Sequence, residues 1–392
     1  MNQSIYHVNE RIFMLDCGRK YYSPDWIKRL ILELEQSQMN TLYIHFAEDM
    51  GHRLESKQYP WLAGGDHTLC VRGSDMGIAE DDEKFLTQDE MREIVSFAGS
   101  HGVEIVPSLD SPGHMNYAVK KYNGHYGKDI GNYFIKNGSR HIVSGSSTVK
   151  ENAALSASRG IDIANPEAVE FAKSLYREYG EFFRELGCKK FDIGGDELLG
   201  WGALADPAYP KWQNLEVWDA LAKEKTNRAD AVAYDLFILY INEIASLMRS
   251  LGYESVRIWN DEVYLSSHTA WKGAATFDTS IDIQYWKQGA DIQNTPAFYL
   301  DKGHRLLNFC SGFCYYVLGE GDGSLERLSV IEEEYNPYVF GKNDPSSILP
   351  APDERILGAA LCLWCDGPAY EDREETLENL KPYIRAFAKK ML

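Results

Sequence analysis

Two adjacent carboxylates, Asp196 and Glu197, follow a pair of glycines in the segment FDIGGDEL. Glycine allows close approach and unusual backbone angles, so both side chains can emerge from one tight turn. Like charges this close favour unequal pKa values, and such a pair suits two separate roles in acid–base chemistry. A solvated acidic turn is the alternative for this segment taken by itself.

A second polar group lies in the segment SLDSPGHMN, where Asp110 precedes His114. The proline and glycine between them shape a loop that carries both side chains. A single histidine is more often structural, but one this close to an aspartate could couple to a carboxylate network. Asp110 and His114 are therefore candidates to support the carboxylate pair.

Further polar and aromatic side chains fall at the ends of other apolar runs. They are Asp16, Arg19, Glu48, Asp49, Trp259, Asn260, Asp261, Trp286, Trp364 and Asp366. Each of them alone would be interpreted as a cap, a loop residue or core packing. Their joint placement at the ends of runs indicates one polar site at one end of a set of strands.

Eight short apolar runs alternate with longer, mostly amphipathic segments along the chain. The runs cover residues 11–17, 41–46, 103–110, 189–197, 255–261, 281–287, 305–312 and 356–367. Ser23 and Asn165 are typical N-caps, and each precedes a proline that suits the first position of a helix. The pattern therefore predicts strands that alternate with helices.

Strands separated by helices pair in parallel through crossover connections, so we expect an α/β fold. Eight such units in 392 residues predict a closed (β/α)8 TIM barrel with its polar site at the C-terminal mouth. The fifth unit is poor in helix signals and is expected to be irregular. A doubly wound open sheet is the alternative, weakened because no glycine-rich phosphate loop follows the first run.

The charge balance argues against several classes of partner. With 59 acidic and 40 basic side chains the formal charge is −19, so neither nucleic acid nor an anionic membrane surface is expected to bind. No secretory signal or membrane span is recognisable, and seven cysteines form an odd, sparse set typical of a reducing compartment. We expect a cytoplasmic protein, although a domain cut from a longer secreted protein would look the same.

The ordered set of motifs resembles the catalytic domain of glycoside hydrolase family 20, the β-N-acetylhexosaminidases. The matching segments, in family order, are MLDCGRKYYSPDWIKRLI, NTLYIHFAEDMGHRLES, VEIVPSLDSPGHMN, IDIANPEA, FDIGGDE, RIWNDE and LCLWCDG. They cover most of the chain, so the resemblance implies one TIM-barrel catalytic domain over residues 1–392. The small α+β domain that often precedes the barrel in this family is not expected here.

The resemblance also implies roles for individual residues. Glu197 matches the general acid/base, and Asp196 matches the residue that orients the 2-acetamido group of the substrate. In this family the acetamide carbonyl is itself the nucleophile, which gives an oxazolinium intermediate and net retention. The supporting positions are His114, Glu48 and Asp110, and the substrate-binding positions are Arg19, Trp259, Trp286, Tyr315, Trp364 and Asp366.

Three positions depart from the family pattern. The family has Asp-Asp-Gln where this chain has Glu48-Asp49-Met50. It has Trp-x-Glu where this chain has Trp364-Cys365-Asp366. A Tyr-x-Asp is expected after the seventh strand, but only the tyrosine is present, for which Tyr315 is favoured over Tyr316. These changes bear on substrate preference rather than on catalytic competence.

The resemblance therefore implies an exo-acting retaining β-N-acetylhexosaminidase that acts on oligosaccharides with terminal β-linked N-acetylhexosamine and needs no cofactor or metal. Three alternatives remain: a lacto-N-biosidase of the same family, a sugar-binding protein without catalysis, and a metal-dependent barrel hydrolase. The sequence does not rank GlcNAc against GalNAc as substrate, and it does not indicate the oligomeric state.

Overall fold

Eight parallel strands form a closed barrel in the computed structural model, which describes residues 6–136, 139–144, 148–151, 160–198, 211–265, 269–286, 294–319, 327–342 and 344–392. The strands are β1 (Glu10–Asp16), β2 (Thr41–Glu48), β3 (Glu104–Leu109), β4 (Lys190–Asp192), β5 (Ser255–Trp259), β6 (Asp282–Tyr285), β7 (Leu306–Asn308) and β8 (Ile356–Trp364). Each pairs with the next, and β1 pairs with both β2 and β8. The predicted TIM barrel is confirmed, and the open-sheet alternative is wrong because this double pairing closes the sheet.

Helices surround the barrel and extend its loops. They are α1 (Pro24–Gln36), α2 (Gln88–Ser100), α3 (Asn116–Tyr126), α4 (Pro166–Glu185), α5 (Leu215–Thr226), α6 (Ala233–Ser250), α7 (Pro296–Asp301), α8 (Ser311–Cys314), α9 (Arg327–Glu334) and α10 (Arg373–Met391). As expected, the described residues between β5 and β6 include no helix. No helix in the described part of the chain is both long enough and apolar enough to cross a membrane.

Several short strands lie outside the eight strands of the barrel. Gly51–His52 and Gly64–Gly65 continue the sheet beyond β2, and Tyr315–Val317 pairs with the end of β8. A separate two-stranded antiparallel sheet joins Gly131–Asn132 with Gly160–Ile161. A four-stranded antiparallel sheet has the strand order Lys211–Trp212, Phe134–Lys136, Ser139–Ser144 and Thr148–Glu151.

The predicted helix starts at Ser23 and Asn165 are confirmed. The Ser23 side chain accepts a hydrogen bond from the Trp26 backbone N–H at 3.3 Å, and Asn165 accepts one from the Glu167 N–H at 3.0 Å. Each cap satisfies a backbone donor that the first helical turn leaves without a partner. These caps fix where α1 and α4 begin after their loops.

The alternation of side chains along a strand separates the barrel interior from the helix-facing side. In β1, Ile12 and Met14 pack in a cluster inside the barrel, whereas Phe13 and Leu15 belong to the larger core shared with the helices. Asp16 continues the inward series at the C-terminal end of the strand. A polar side chain at this position therefore points toward the mouth of the barrel.

Candidate active site

A cavity of about 440 Å³ opens at the C-terminal ends of the barrel strands. This volume lies within the range of small-molecule sites. The cavity is lined by Arg19, Glu48, His114, Asp196, Glu197, Trp286, Ser311, Gly312, Tyr315, Val317, Trp364 and Asp366. The predicted site residues border it, except for Asp110 and Trp259, which lie behind its wall.

The turn after β4 brings the carboxylate pair to the cavity. Gly194 has a φ of +70°, and a Cβ atom there would lie 1.8 Å from Asp110 Oδ1, so only glycine fits. The next residue, Gly195, donates its N–H to the same Asp110 oxygen at 3.0 Å. Glu197 also has a left-handed φ, +45°, and its side chain is 42% exposed in the cavity. The strained turn thus presents Glu197 to an incoming ligand.

Asp196, which is 14% exposed, forms a carboxyl pair with the buried Asp110. Burial raises the pKa of Asp110 to about 7, and burial together with the charge of Asp110 raises the pKa of Asp196 well above its ordinary range. Two carboxyl groups this close hold a shared proton more easily than two negative charges. The pair can therefore hold one proton between its two carboxyl groups near neutral pH.

His114 joins the carboxylate pair to Glu48. Its Nε2 lies 3.6 Å from both Asp196 Oδ2 and Glu197 Oε2, and its Nδ1 lies 2.9 Å from Glu48 Oε1. Burial by itself would lower the pKa of His114, but the carboxylates of Glu48 and Asp196 raise it well above the usual value. The imidazole is therefore held as a cation between carboxylates.

Glu48 Oε1 is shared between two cations, since it also lies 2.6 Å from Arg19 Nη2. Burial would raise the pKa of Glu48, but Arg19 and His114 hold it well below its usual range. The same glutamate oxygen thus contacts both the histidine and the arginine. Glu48 therefore stays ionised and connects the two ends of the cavity.

Arg19 lies at the opposite end of the cavity from the carboxylate pair. Its Nη1 is 2.8 Å from Asp16 Oδ2, its Nε is 3.5 Å from Asp366 Oδ1, and its guanidinium lies 5.4 Å from the centre of the Trp364 ring. Arg72 reaches the other Asp366 oxygen at 3.4 Å from a loop that follows β2. This end of the cavity is lined with fixed charges that can bind hydroxyl groups.

Aromatic rings form one wall of the cavity. Trp286 and Tyr315 are nearly parallel, with centroids 6.1 Å apart, and Tyr315 meets Trp364 at 5.7 Å. Trp259 is only 1% exposed and packs behind Trp364 at 6.0 Å. Trp259 therefore supports the wall in this structure, and the rings that border the cavity are the other three.

Several residues at the site were not given a role by the sequence. Asp261 accepts hydrogen bonds from the Glu197 backbone N–H and from Trp286 Nε1, each at 3.0 Å. Its place at the end of the fifth run was the only sequence signal. Val317 borders the cavity two residues after Tyr315, where the family pattern has its aspartate. Arg72 gave no signal because it lies far from any strand end.

Some side chains at the site have the arrangement of metal ligands. Glu48, Asp49 and His114 have ligand-type atoms within 4.8 Å of one another, as do Asp110, His114 and Asp196. Three of these residues, Glu48, His114 and Asp196, also form the carboxylate–histidine contacts described above. A cation there would compete with the imidazolium of His114 for the same oxygens.

Comparison with known proteins places the chain in one family. The family model "Glycosyl hydrolase family 20, catalytic domain" matches residues 9–389. Dispersin B has a TM-score of 0.69 at 22% identity, and the match covers 97% of this chain and 99% of that one. An exo-β-N-acetylglucosaminidase of Vibrio harveyi, solved with N-acetylglucosamine, has a TM-score of 0.66 at 20% identity, with 98% of this chain and 54% of that one covered.

Curated relatives include hexosaminidases and a lacto-N-biosidase. The chain is 24% identical to beta-hexosaminidase subunit A1 of Dictyostelium discoideum, with 91% of this chain and 54% of that protein covered. It is 21% identical to a lacto-N-biosidase of Bifidobacterium bifidum, and the match covers 91% of this chain and 26% of that protein. The chain thus spans about half or less of the length of these two relatives. Because the family model matches nearly the whole chain, the protein belongs to glycosyl hydrolase family 20.

Proposed function

We propose that this chain is an exo-acting retaining β-N-acetylhexosaminidase that removes terminal GlcNAc or GalNAc by substrate-assisted catalysis. The observation that carries the proposal is the adjacent Asp196–Glu197 pair, which opens into a cavity walled by Trp286, Tyr315 and Trp364. An apolar wall suits an acetamide methyl group and a sugar face, and the carboxyl pair suits the reacting centre. Names of the relatives support the same activity.

The charged end of the cavity would bind the hydroxyls at the non-reducing end of the sugar. Arg19 and Asp366 offer donors and acceptors there, and Arg72 closes over Asp366. The aromatic wall would then hold the acetamide group beside Asp196. Binding in this orientation places the anomeric carbon C1 between Glu197 and the acetamide carbonyl oxygen, as an intramolecular reaction requires.

In the first step the acetamide carbonyl oxygen attacks C1 while the bond from C1 to the leaving oxygen breaks. Glu197 donates its proton to that oxygen, and Asp196 accepts a hydrogen bond from the acetamide N–H, which becomes more acidic as the oxazolinium ion forms. In the second step Glu197 takes a proton from water, which attacks C1 and reopens the ring. Two inversions at C1 give net retention.

Chromogenic β-glycosides of GlcNAc and GalNAc test this proposal directly. We expect hydrolysis of at least one, with the β-anomer as the first product by NMR. Release of a disaccharide rather than a monosaccharide from a tetrasaccharide would support the lacto-N-biosidase alternative. Tight sugar binding without turnover would support the sugar-binding alternative, and no hydrolysis of either glycoside would refute the proposed function.

Glu48→Gln is expected to lower kcat by about 10- to 100-fold and to raise KM by less. The neutral amide no longer holds His114 as a cation against the catalytic carboxylates, and a hydrogen bond to a charged group contributes about 1.5 to 3 kcal/mol, which corresponds to a rate change of this size. Glu48→Asp is the matched variant, because it keeps the charge but shortens the reach toward Arg19. It should retain more of kcat than Glu48→Gln. An unchanged kcat in Glu48→Gln would limit Glu48 to a binding or structural role.

Asp110→Asn is expected to stabilise the protein at pH 7 and above. The folded-state pKa of Asp110 is raised from 3.8 to about 7, so the native state binds this proton more tightly and loses stability as pH rises between these values. An amide keeps the Gly195 N–H acceptor without the buried charge. We expect the free energy of unfolding of Asp110→Asn to exceed that of wild type by about 2 to 4 kcal/mol at neutral pH. This difference should vanish below about pH 4.

Denaturant unfolding across pH checks this result, with Glu48→Gln as the opposite control. The pKa of Glu48 is lowered in the folded state, so its ionised form stabilises the protein above the unfolded-state pKa. Glu48→Gln should therefore be destabilising at neutral pH, and the difference should fade as pH falls through the folded-state pKa. Equal pH profiles for Asp110→Asn and wild type would contradict a raised pKa at Asp110.

A further inference from the structure

Asp261 bridges two parts of the site that approach from different strands. It follows β5, is 5% exposed, and uses its two carboxylate oxygens separately. Oδ2 accepts the backbone N–H of Glu197 after β4, and Oδ1 accepts the indole N–H of Trp286 after β6, each at 3.0 Å. One rigid side chain therefore contacts both the segment that carries the carboxylate pair and the aromatic wall.

The first contact acts on a strained residue. Glu197 has a φ of +45°, a conformation that costs a non-glycine residue free energy unless its surroundings hold it. An acceptor on its backbone N–H stabilises this conformation, and a hydrogen bond to a charged acceptor is stronger than one to a neutral group. Asp261 therefore helps to hold the backbone from which the Glu197 carboxyl enters the cavity.

The second contact fixes the plane of Trp286. Asn260, the preceding residue, accepts the Trp286 backbone N–H at 2.8 Å, so both the backbone and the ring of Trp286 are held from the end of β5. The fixed ring lies nearly parallel to Tyr315. The wall that faces the ligand is thus aligned by the same two-residue segment that contacts Glu197.

We propose, on the basis of the function proposed above, that Asp261 is a positioning residue that sets the distance between the general acid Glu197 and the acetamide wall at Trp286. Formation of the oxazolinium ion requires the proton donor and the acetamide carbonyl to act on the same C1 at once. A small error in their relative position is costly in such a reaction. Asp261 has no part in bond making, and acts through the groups around it.

The charge of Asp261 has a second consequence for the neighbouring carboxylate. Burial is the largest cause of the raised pKa of Asp196; the charges of Asp110 and Asp261 raise it further, while His114 lowers it. Removing the charge of Asp261 should therefore lower the pKa of Asp196. Because ionised Asp196 is required to accept the acetamide N–H, the acid limb of the kcat/KM profile should move to lower pH.

The chain contains a matched control for the structural effect of such a substitution. Asp235, in α6, is fully buried and accepts the Trp271 indole N–H at 2.9 Å and the Ala275 backbone N–H at 2.7 Å. It thus accepts the same two kinds of donor as Asp261 at a place that does not border the cavity, although it does so through Oδ1 alone while its Oδ2 accepts the Val232 backbone N–H at 2.8 Å. Asp235→Asn measures what losing such a bridge does to folding alone.

The experiment compares Asp261→Asn, Asp235→Asn and wild type on two β-GlcNAc substrates, a dinitrophenyl glycoside and a chitooligosaccharide. For Asp261→Asn we expect kcat on the oligosaccharide to fall by about 10- to 100-fold, the size expected for one weakened hydrogen bond to a charged group. The dinitrophenyl substrate should lose less, because its leaving group needs no proton. Asp235→Asn should lower stability without a comparable loss of kcat in the folded protein.

A double-mutant cycle with Trp286→Phe tests the bridge itself. Phenylalanine keeps a ring but removes the indole N–H, so the two substitutions should be less than additive if Asp261 acts partly through Trp286. Wild-type kcat in Asp261→Asn, or equal losses in Asp261→Asn and Asp235→Asn, would overturn the inference. Wild type inactive on both substrates and on the GalNAc β-glycoside would instead refute the proposed function, so the two failures are distinguishable.

Discussion

Glu197→Gln is expected to reduce kcat on chitooligosaccharides and other substrates with poor leaving groups by about 10²- to 10⁴-fold, the range for loss of a general acid/base. Glutamine has the same shape but no proton to give. The Glu197 side chain is open to the cavity, and its carboxylate lies 3.6 Å from His114 Nε2. The substitution should therefore lower the rate through proton transfer rather than through packing. KM should change much less than kcat.

A change of leaving group separates this effect from a general loss of structure. A dinitrophenyl β-glycoside leaves without protonation, so the first step should be retained in Glu197→Gln while the second step, which needs a general base, becomes limiting. A burst of dinitrophenolate followed by slow turnover is the expected signature. Equal losses on activated and unactivated substrates, with no burst, would contradict a general acid/base role for Glu197.

Asp196→Asn is expected to reduce kcat by about 10²-fold or more on every leaving group. In the proposed mechanism the acetamide becomes positively charged in the oxazolinium ion, and the loss of a charged acceptor aimed at developing charge has effects of this size. Asp196 is only 14% exposed and is paired with Asp110, so asparagine fits the same space. Unlike Glu197→Gln, this variant should gain little from a dinitrophenyl leaving group.

Substrates with an altered acyl group test whether the acetamide is the nucleophile. Fluorination of the acetyl methyl makes the carbonyl oxygen less nucleophilic, so kcat/KM of the wild type should fall steeply from acetyl to trifluoroacetyl. In Asp196→Asn the slope should change, because the group that stabilises the oxazolinium charge is missing. A wild-type rate independent of fluorination would rule out substrate-assisted catalysis, and leave Asp196 to be tested as a direct nucleophile.

The fold could be predicted because its signals are local. Each strand appears as a short apolar run, Ser23 and Asn165 mark helix starts through their own side chains, and parallel pairing follows from the helices between strands. A barrel gathers the C-terminal ends of its strands at one face. The sequence could therefore indicate that Asp16, Glu48 and Asp196 approach one another without specifying any contact.

The sequence alone determined the barrel and most of the charged and aromatic residues at its mouth, since both follow from strand order and side-chain alternation. Only the tertiary structure decided how those residues pair. Glu48 Oε1 contacts both Arg19 and His114, and the two oxygens of Asp261 join residues that follow separate strands. Such contacts depend on side-chain rotamers and on the paths of loops between positions far apart in the chain. No local sequence pattern therefore predicts which of these side chains come within hydrogen-bonding distance of one another.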